Sequence, residues 1–176
     1  GLNHVDVDRI EIDAYQRTGV AGVYAVGDVV AGPALAHVAF AEAIVAAKMI
    51  LGEPVVPLDR AKVPWGIYCH PEVAFSGPTE EQAREAGHDV VVSKHRFTGN
   101  SRALIIGETD GLVKIVAERD GPILGVHMTG PWATELRAEG YVAVNWQALP
   151  EEGAAFVHPH PTLSELFGES ATALSG

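Results

Sequence analysis

Gly111-Leu112-Val113-Lys114-Ile115-Val116-Ala117-Glu118-Arg119-Asp120-Gly121-Pro122-Ile123-Leu124-Gly125-Val126-His127-Met128 reads as two strands around a tight turn. Residues 111–118 and 123–128 are rich in Val, Ile and Leu, and Asp120-Gly121 between them accepts the backbone angles of a hairpin. A tight turn joins antiparallel neighbours only, because parallel strands need a crossover of about a dozen residues. Working upstream, His88 to Phe97 is strand-like, and Thr79-Glu80-Glu81-Gln82 forms a capping box that starts a short helix ending at Gly87. Glu72 to Ser76 and Val63 to Cys69 read as further strands. Downstream, Gly130-Pro131 opens a helix in which Trp132, Leu136, Ala143 and Trp146 form an approximate stripe, and a final helix follows residue 161. The pattern predicts an α+β domain over residues 58–176: an antiparallel sheet with flanking helices.

Residues 1–57 have a different character. Val23-Tyr24-Ala25-Val26 suits a short buried parallel strand ending at Gly27-Asp28. After the loop at Ala31-Gly32-Pro33, Ala34 to Leu51 reads as a helix with Gly52 as its stop. Pro54 and Pro57 then punctuate the chain. One strand and one helix make half of an α/β unit, so the remaining strands are expected in another chain or in a longer protein.

Composition narrows the function. With 47% hydrophobic residues among 176, the chain can build a core. Twelve Lys and Arg against 23 Asp and Glu give a net charge of -11, which repels phosphate backbones and anionic lipid surfaces; neither a nucleic acid nor a membrane partner is expected. No apolar run reaches the length of a membrane span and no signal peptide is legible, so a cytoplasmic location is expected. Cys69, the single cysteine, sits in an apolar run and is expected to be buried and inert. No G-x-G and no P-loop occurs. His70, His88, His95 and His127 lack zinc-ligand spacing, so no metal is expected.

Two places carry candidate chemistry. His158-Pro159-His160-Pro161-Thr162-Leu163-Ser164-Glu165 sets two imidazoles and a carboxylate beside a helix start. Imidazole both takes and gives a proton near neutral pH, and a carboxylate can hold its tautomer. The interleaved prolines bias each histidine to an extended, restrained backbone. Thr162 and Glu165 also have capping-box spacing, which accounts for the carboxylate without catalysis. Asp28, at the carboxyl end of the expected strand, stands where open sheets bind ligands, or else serves as a turn or helix cap.

Taken together, these segments resemble one family. Tyr24 to His37 is similar to the second FAD-contacting motif of the pyridine nucleotide-disulfide oxidoreductases. His158 to Glu165 resembles the C-terminal active-site motif of that family's dihydrolipoamide dehydrogenase branch. Tyr68-Cys69-His70-Pro71-Glu72-Val73-Ala74 and Asn100-Ser101-Arg102-Ala103 are similar to stretches of its dimerisation domain, in the same order. The resemblance implies the end of an FAD-binding domain over residues 1–57 and a dimerisation domain over 58–176. Asp28 would hydrogen-bond the ribityl chain of FAD, with Leu35, Ala36 and His37 near the flavin. His160 would be the base, oriented by Glu165, with Pro161 following a cis peptide.

For a complete enzyme the resemblance implies FAD, NAD as acceptor and a dihydrolipoyl dithiol as substrate. It also implies a homodimer in which His160 reaches the partner's flavin and redox disulfide, and a place in a 2-oxo acid dehydrogenase complex. The family's first FAD fingerprint, paired redox cysteines and NAD-binding domain are not among these residues. The chain is therefore expected to be a C-terminal fragment, inactive and without cofactor when alone. A stand-alone dimerisation or interaction module without catalysis, or another disulfide reductase of the family, is the alternative.

Overall fold

The computed structural model describes residues 4–6 and 9–175. The chain divides into two compact units, Gly1–Arg60 and Ala61–Gly176.

The second unit is built on a five-stranded antiparallel sheet of order β3-β4-β7-β6-β5, formed by β3 (Trp65–Ile67), β4 (Glu72–Ser76), β5 (Val90–Arg96), β6 (Leu112–Glu118) and β7 (Ile123–Gly130). The β6–β7 hairpin pairs Leu112 with Thr129 and Ile115 with Val126, and Asp120 at its turn takes φ 55°. This is the positive φ that the Asp-Gly pair accommodates. Alternate side chains point to opposite faces. Ala74, Val113, Ile115, Val126 and Met128 join Phe97, Leu166 and Phe167 in the main core, whereas Val90 and Val116 join Ala83 in a smaller cluster. Helices α2 (Glu80–Glu85), α3 (Ser101–Ile106), α4 (Ala133–Trp146), α5 (Pro150–Ala154) and α6 (Glu165–Thr172) complete the unit. Thr79 and Gln82 close a full capping box on α2.

Helix α4 lies on β4 and β7 in a rotation the sequence stripe does not anticipate. Ala133, Thr134, Gly140, Ala143 and Val144 are its buried residues, while Trp132 is 64% and Trp146 81% exposed. The reason is a close approach: a Cβ on Gly140 would stand 2.7 Å from Val126 Cγ1. Only a face of small residues lets the helix sit this near the sheet, so the indoles turn outward. Gly140→Ala is expected to cost about 1–3 kcal/mol by overpacking, read as a lower denaturation midpoint; an unchanged midpoint would mean the helix can lift off freely.

Cys69 also differs from expectation. It lies beyond the end of β3 and is exposed, with Sγ 3.0 Å from the Pro71 carbonyl oxygen. β3 is three residues long, so the apolar run ends before the thiol.

In the first unit, β1 (His4–Asp6) pairs antiparallel with β2 (Arg9–Ile10), and α1 (Ala36–Leu51) ends at Gly52 in the left-handed region. The run 23–26 forms no strand. Tyr24 makes an isolated antiparallel bridge with Arg17, and the Ala25 N–H donates to the Gln16 carbonyl. A strand is defined by its ladder, and no described neighbour supplies one on both sides of this run. Inside α1, Glu42 is buried and fully engaged: Oε2 accepts the Gly27 N–H at 2.7 Å and Oε1 accepts Arg60 Nη2 at 2.7 Å. A buried carboxylate is tolerated because its charge and lone pairs are matched.

Candidate active site

The turn after α5 carries the chain through His158 to Pro161 and into α6. The His160–Pro161 peptide is cis. His160 Nδ1 lies 2.8 Å from Glu165 Oε1. An ionised carboxylate only accepts, so Nδ1 carries the proton of the neutral ring and Nε2 presents its lone pair. The His160 side chain is 67% exposed and that of Glu165 only 19%, so an outward-facing imidazole rests on a sheltered carboxylate.

The second carboxylate oxygen is occupied too. Glu165 Oε2 accepts the Thr162 N–H at 2.8 Å, so half of the expected capping box forms. The other half does not form; Thr162 Oγ1 donates instead to the Pro159 carbonyl at 2.7 Å. Its single proton thus spent, Oγ1 accepts from Ser164 Oγ at 2.9 Å. Helix α6 accordingly starts at Glu165, with Ser164 at its N-cap and no side-chain cap bond. Capping and orientation, alternatives in the sequence, use different oxygens of one carboxylate. Asn100, buried, donates from Nδ2 to the Thr162 carbonyl at 3.0 Å while its Oδ1 caps α3 through the Ala103 N–H.

The Thr162 amide, and after it the His160 imidazole, hold the Glu165 carboxyl below its ordinary 4.5. A carboxylate favoured in the folded state contributes stability that is complete above its unfolded value and lost as pH falls through the depressed folded one. His127 adds an earlier loss of the same sign. It stacks on Phe75, and Nε2–H donates to the Pro78 carbonyl at 2.9 Å. Burial pushes its imidazole below the usual 6.5, so its contribution begins to fall below that pH. Thermal melts should therefore decline below pH 6.5 and more steeply below 4.5; Glu165→Gln should flatten the lower segment, and an unaltered slope there would refute the assignment.

The other sequence-derived residues lie in the first unit. Asp28 is exposed in a single 3-10 turn, Gly27–Val29, tethered through the Gly27 N–H to Glu42. Leu35 is the N-cap of α1 and offers no side-chain cap bond, and Ala36 and His37 begin the helix. A hydroxyl-accepting carboxylate beside an uncapped helix start suits a polyhydroxylated, anionic cofactor.

The model for the pyridine nucleotide-disulphide oxidoreductase dimerisation domain matches residues 63–171, and that for pyridine nucleotide-disulphide oxidoreductase matches residues 1–43. The chain belongs to this family. It is 44% identical over 181 residues to dihydrolipoyl dehydrogenase of Bacillus subtilis, using 100% of this chain and 38% of that relative. The same enzyme of Corynebacterium glutamicum is 44% identical over 180 residues, with 100% and 38% covered. Among solved structures, LpdA from Mycobacterium tuberculosis superposes with a TM-score of 0.93 at 28% identity, over 99% of this chain and 38% of that one. The HOCl-induced flavoprotein disulfide reductase RclA from Escherichia coli shares the fold, with a TM-score of 0.88 at 22% identity over 97% and 40%. This member of the family thus spans 38% of the length of the dihydrolipoyl dehydrogenases named above.

Sequence reasoning found the His160–Glu165 pair but missed other polar groups that anchor the chain. Asn100 carries a legible signal, an Asn before the short helical run Ser101–Ile106. Glu139, whose Oε1 lies 2.8 Å from His158 Nε2, has none, and neither has Glu42 of the first unit, because their partners lie far along the chain.

Proposed function

We propose that these residues act as the C-terminal part of an FAD-dependent disulfide oxidoreductase of the dihydrolipoyl dehydrogenase type. Residues 1–57 would close its FAD-binding domain and residues 58–176 form the dimer interface of a cytoplasmic homodimer. The observation that carries the reading is the His160 Nδ1 to Glu165 Oε1 bond at 2.8 Å with Nε2 turned outward. Bound FAD would supply a two-electron acceptor linked to a redox disulfide, with NAD as the final oxidant. His160 Nε2 takes the thiol proton of a dihydrolipoyl group, and the thiolate so formed is the nucleophile for disulfide exchange. Glu165 keeps the proton on Nδ1 beforehand and stabilises the imidazolium afterwards. Asp28 accepts from hydroxyls of the ribityl chain, and backbone groups at Leu35, Ala36 and His37 border the ring. A 2-oxo acid dehydrogenase complex is the proposed setting.

The chain by itself contains neither a Gly-rich pyrophosphate turn nor a cysteine pair. Purified alone, it is expected to show no stoichiometric flavin absorbance. The whole gene product should bind FAD and reduce NAD⁺ with dihydrolipoamide. A flavin-loaded whole protein that leaves dihydrolipoamide unoxidised would overturn the proposal.

A further inference from the structure

His158 is the inward-facing side chain of the turn that presents His160. Its neighbours Val157 and Pro159 are exposed, yet its own side chain is 12% exposed and Nε2 lies 2.8 Å from Glu139 Oε1 on α4. Glu139 accepts, so Nε2 carries a proton and donates. The Nδ1–Cε1 edge of the ring lies against α6 at Gly168: a Cβ there would stand 2.7 Å from both Cε1 and Nδ1 of His158. Gly168 is three residues, about one helical turn, beyond Glu165. His158 is therefore fastened to α4 by a hydrogen bond and seated on α6 just below the carboxylate that meets His160.

The downstream end of the turn has its own restraints, namely the Asn100 bond to the Thr162 carbonyl at 3.0 Å and the Thr162 bond to Glu165 at 2.8 Å. The upstream end has His158. We infer that His158, held by Glu139 and seated on Gly168, is a positioning residue that sets the reach of His160 to Glu165. Only Pro159 separates the two histidines, so a swing of His158 off α6 is carried directly into the backbone at Pro159 and His160. A displacement of about 1 Å takes a 2.8 Å hydrogen bond beyond bonding range. His160 then loses its fixed tautomer, and Nε2 is no longer held as the unprotonated atom.

The inference rests on His160 being the reacting imidazole, but its test is independent of turnover. In this chain labelled with ¹⁵N-histidine, the His160 ring should show a predominant Nδ1–H tautomer. Glu139→Ala keeps a good helix former at a part-exposed position and should remain folded. It should shift the His160 nitrogens toward a mixed tautomer population, as should His158→Ala. His158→Gln, whose amide nitrogen reaches toward the Nε2 position, should restore much of the wild-type signal. Gly168→Ala, which displaces the ring without removing any partner, should resemble His158→Ala. A folded Glu139→Ala protein with unmoved His160 nitrogens overturns the inference, whether or not His158→Ala folds. If the His160 nitrogens shift but His160→Gln in the whole enzyme leaves turnover intact, the catalytic reading falls and the positioning contact stands.

Discussion

Replacing His160 by Gln in the whole enzyme is expected to lower dihydrolipoamide oxidation by roughly 10²- to 10⁴-fold, the range lost with a positioned general base. Glutamine keeps a polar side chain able to meet Glu165, so the turn and helix α6 should survive, and the loss should appear in kcat. A folded, flavin-loaded His160→Gln enzyme with turnover within a factor of three or so of wild type would remove His160 from the chemistry. The size of the effect follows from what the site contains. At neutral pH a free thiol is mostly protonated, and the thiolate is the form that attacks a disulfide. In the proposed mechanism His160 Nε2 takes the proton, because Nδ1 is committed to Glu165 and the ring is exposed. Glutamine can preserve the contact with the carboxylate but has no atom that accepts a proton near pH 7.

Phe167→Ala is expected to destabilise the chain by about 3–5 kcal/mol, as typical for a buried aromatic reduced to a methyl group. Phe167 is 2% exposed and belongs to the main core, and a Cβ placed on Gly153 of α5 would come 3.2 Å from its Cε1. The ring therefore fills the space between α5 and α6. Against a total stability of about 5–15 kcal/mol for a domain, this is a large fraction. Urea unfolding should show a lower midpoint with an unchanged slope. A loss under about 1 kcal/mol would mean that α5 and α6 collapse onto the cavity. The effect should reach the site as well, because Phe167 follows Glu165 and Leu166 in the same helix, and a loosened α6 takes the orienting carboxylate with it.

How far the site was legible can be judged residue by residue. His160 and Glu165 stand five residues apart and meet through a local turn, so their pairing was open to sequence reasoning. The two readings of Glu165 were compatible in sequence but could not be apportioned, because spacing says nothing about which oxygen is used; the structure gives one to His160 and the other to the Thr162 amide. The outward Trp132 and Trp146 show the opposite case. Their spacing suggested a buried stripe, but helix rotation is set by the closest approach that α4 can make, and that is decided by Gly140 against Val126. Cys69 and residues 23–26 failed for a related reason. An apolar run states a preference for burial, whereas its realisation depends on neighbours that local pattern does not specify.

The sequence by itself determined the antiparallel hairpin at Asp120-Gly121, the α+β class of the second unit, the capping of α2 and the candidate pair at the C-terminal motif. Each of these depends on interactions within a few residues, where backbone preference and side-chain period are strong. Only the tertiary structure decided that Glu139, 19 positions from His158, fastens the presenting turn, that Asn100, 62 positions from Thr162, holds its far end, and that Gly168 makes room for the His158 ring. These groups are brought together by packing α4 and α6 against one sheet, and nothing in the local order of residues encodes a distance between chain segments so far apart.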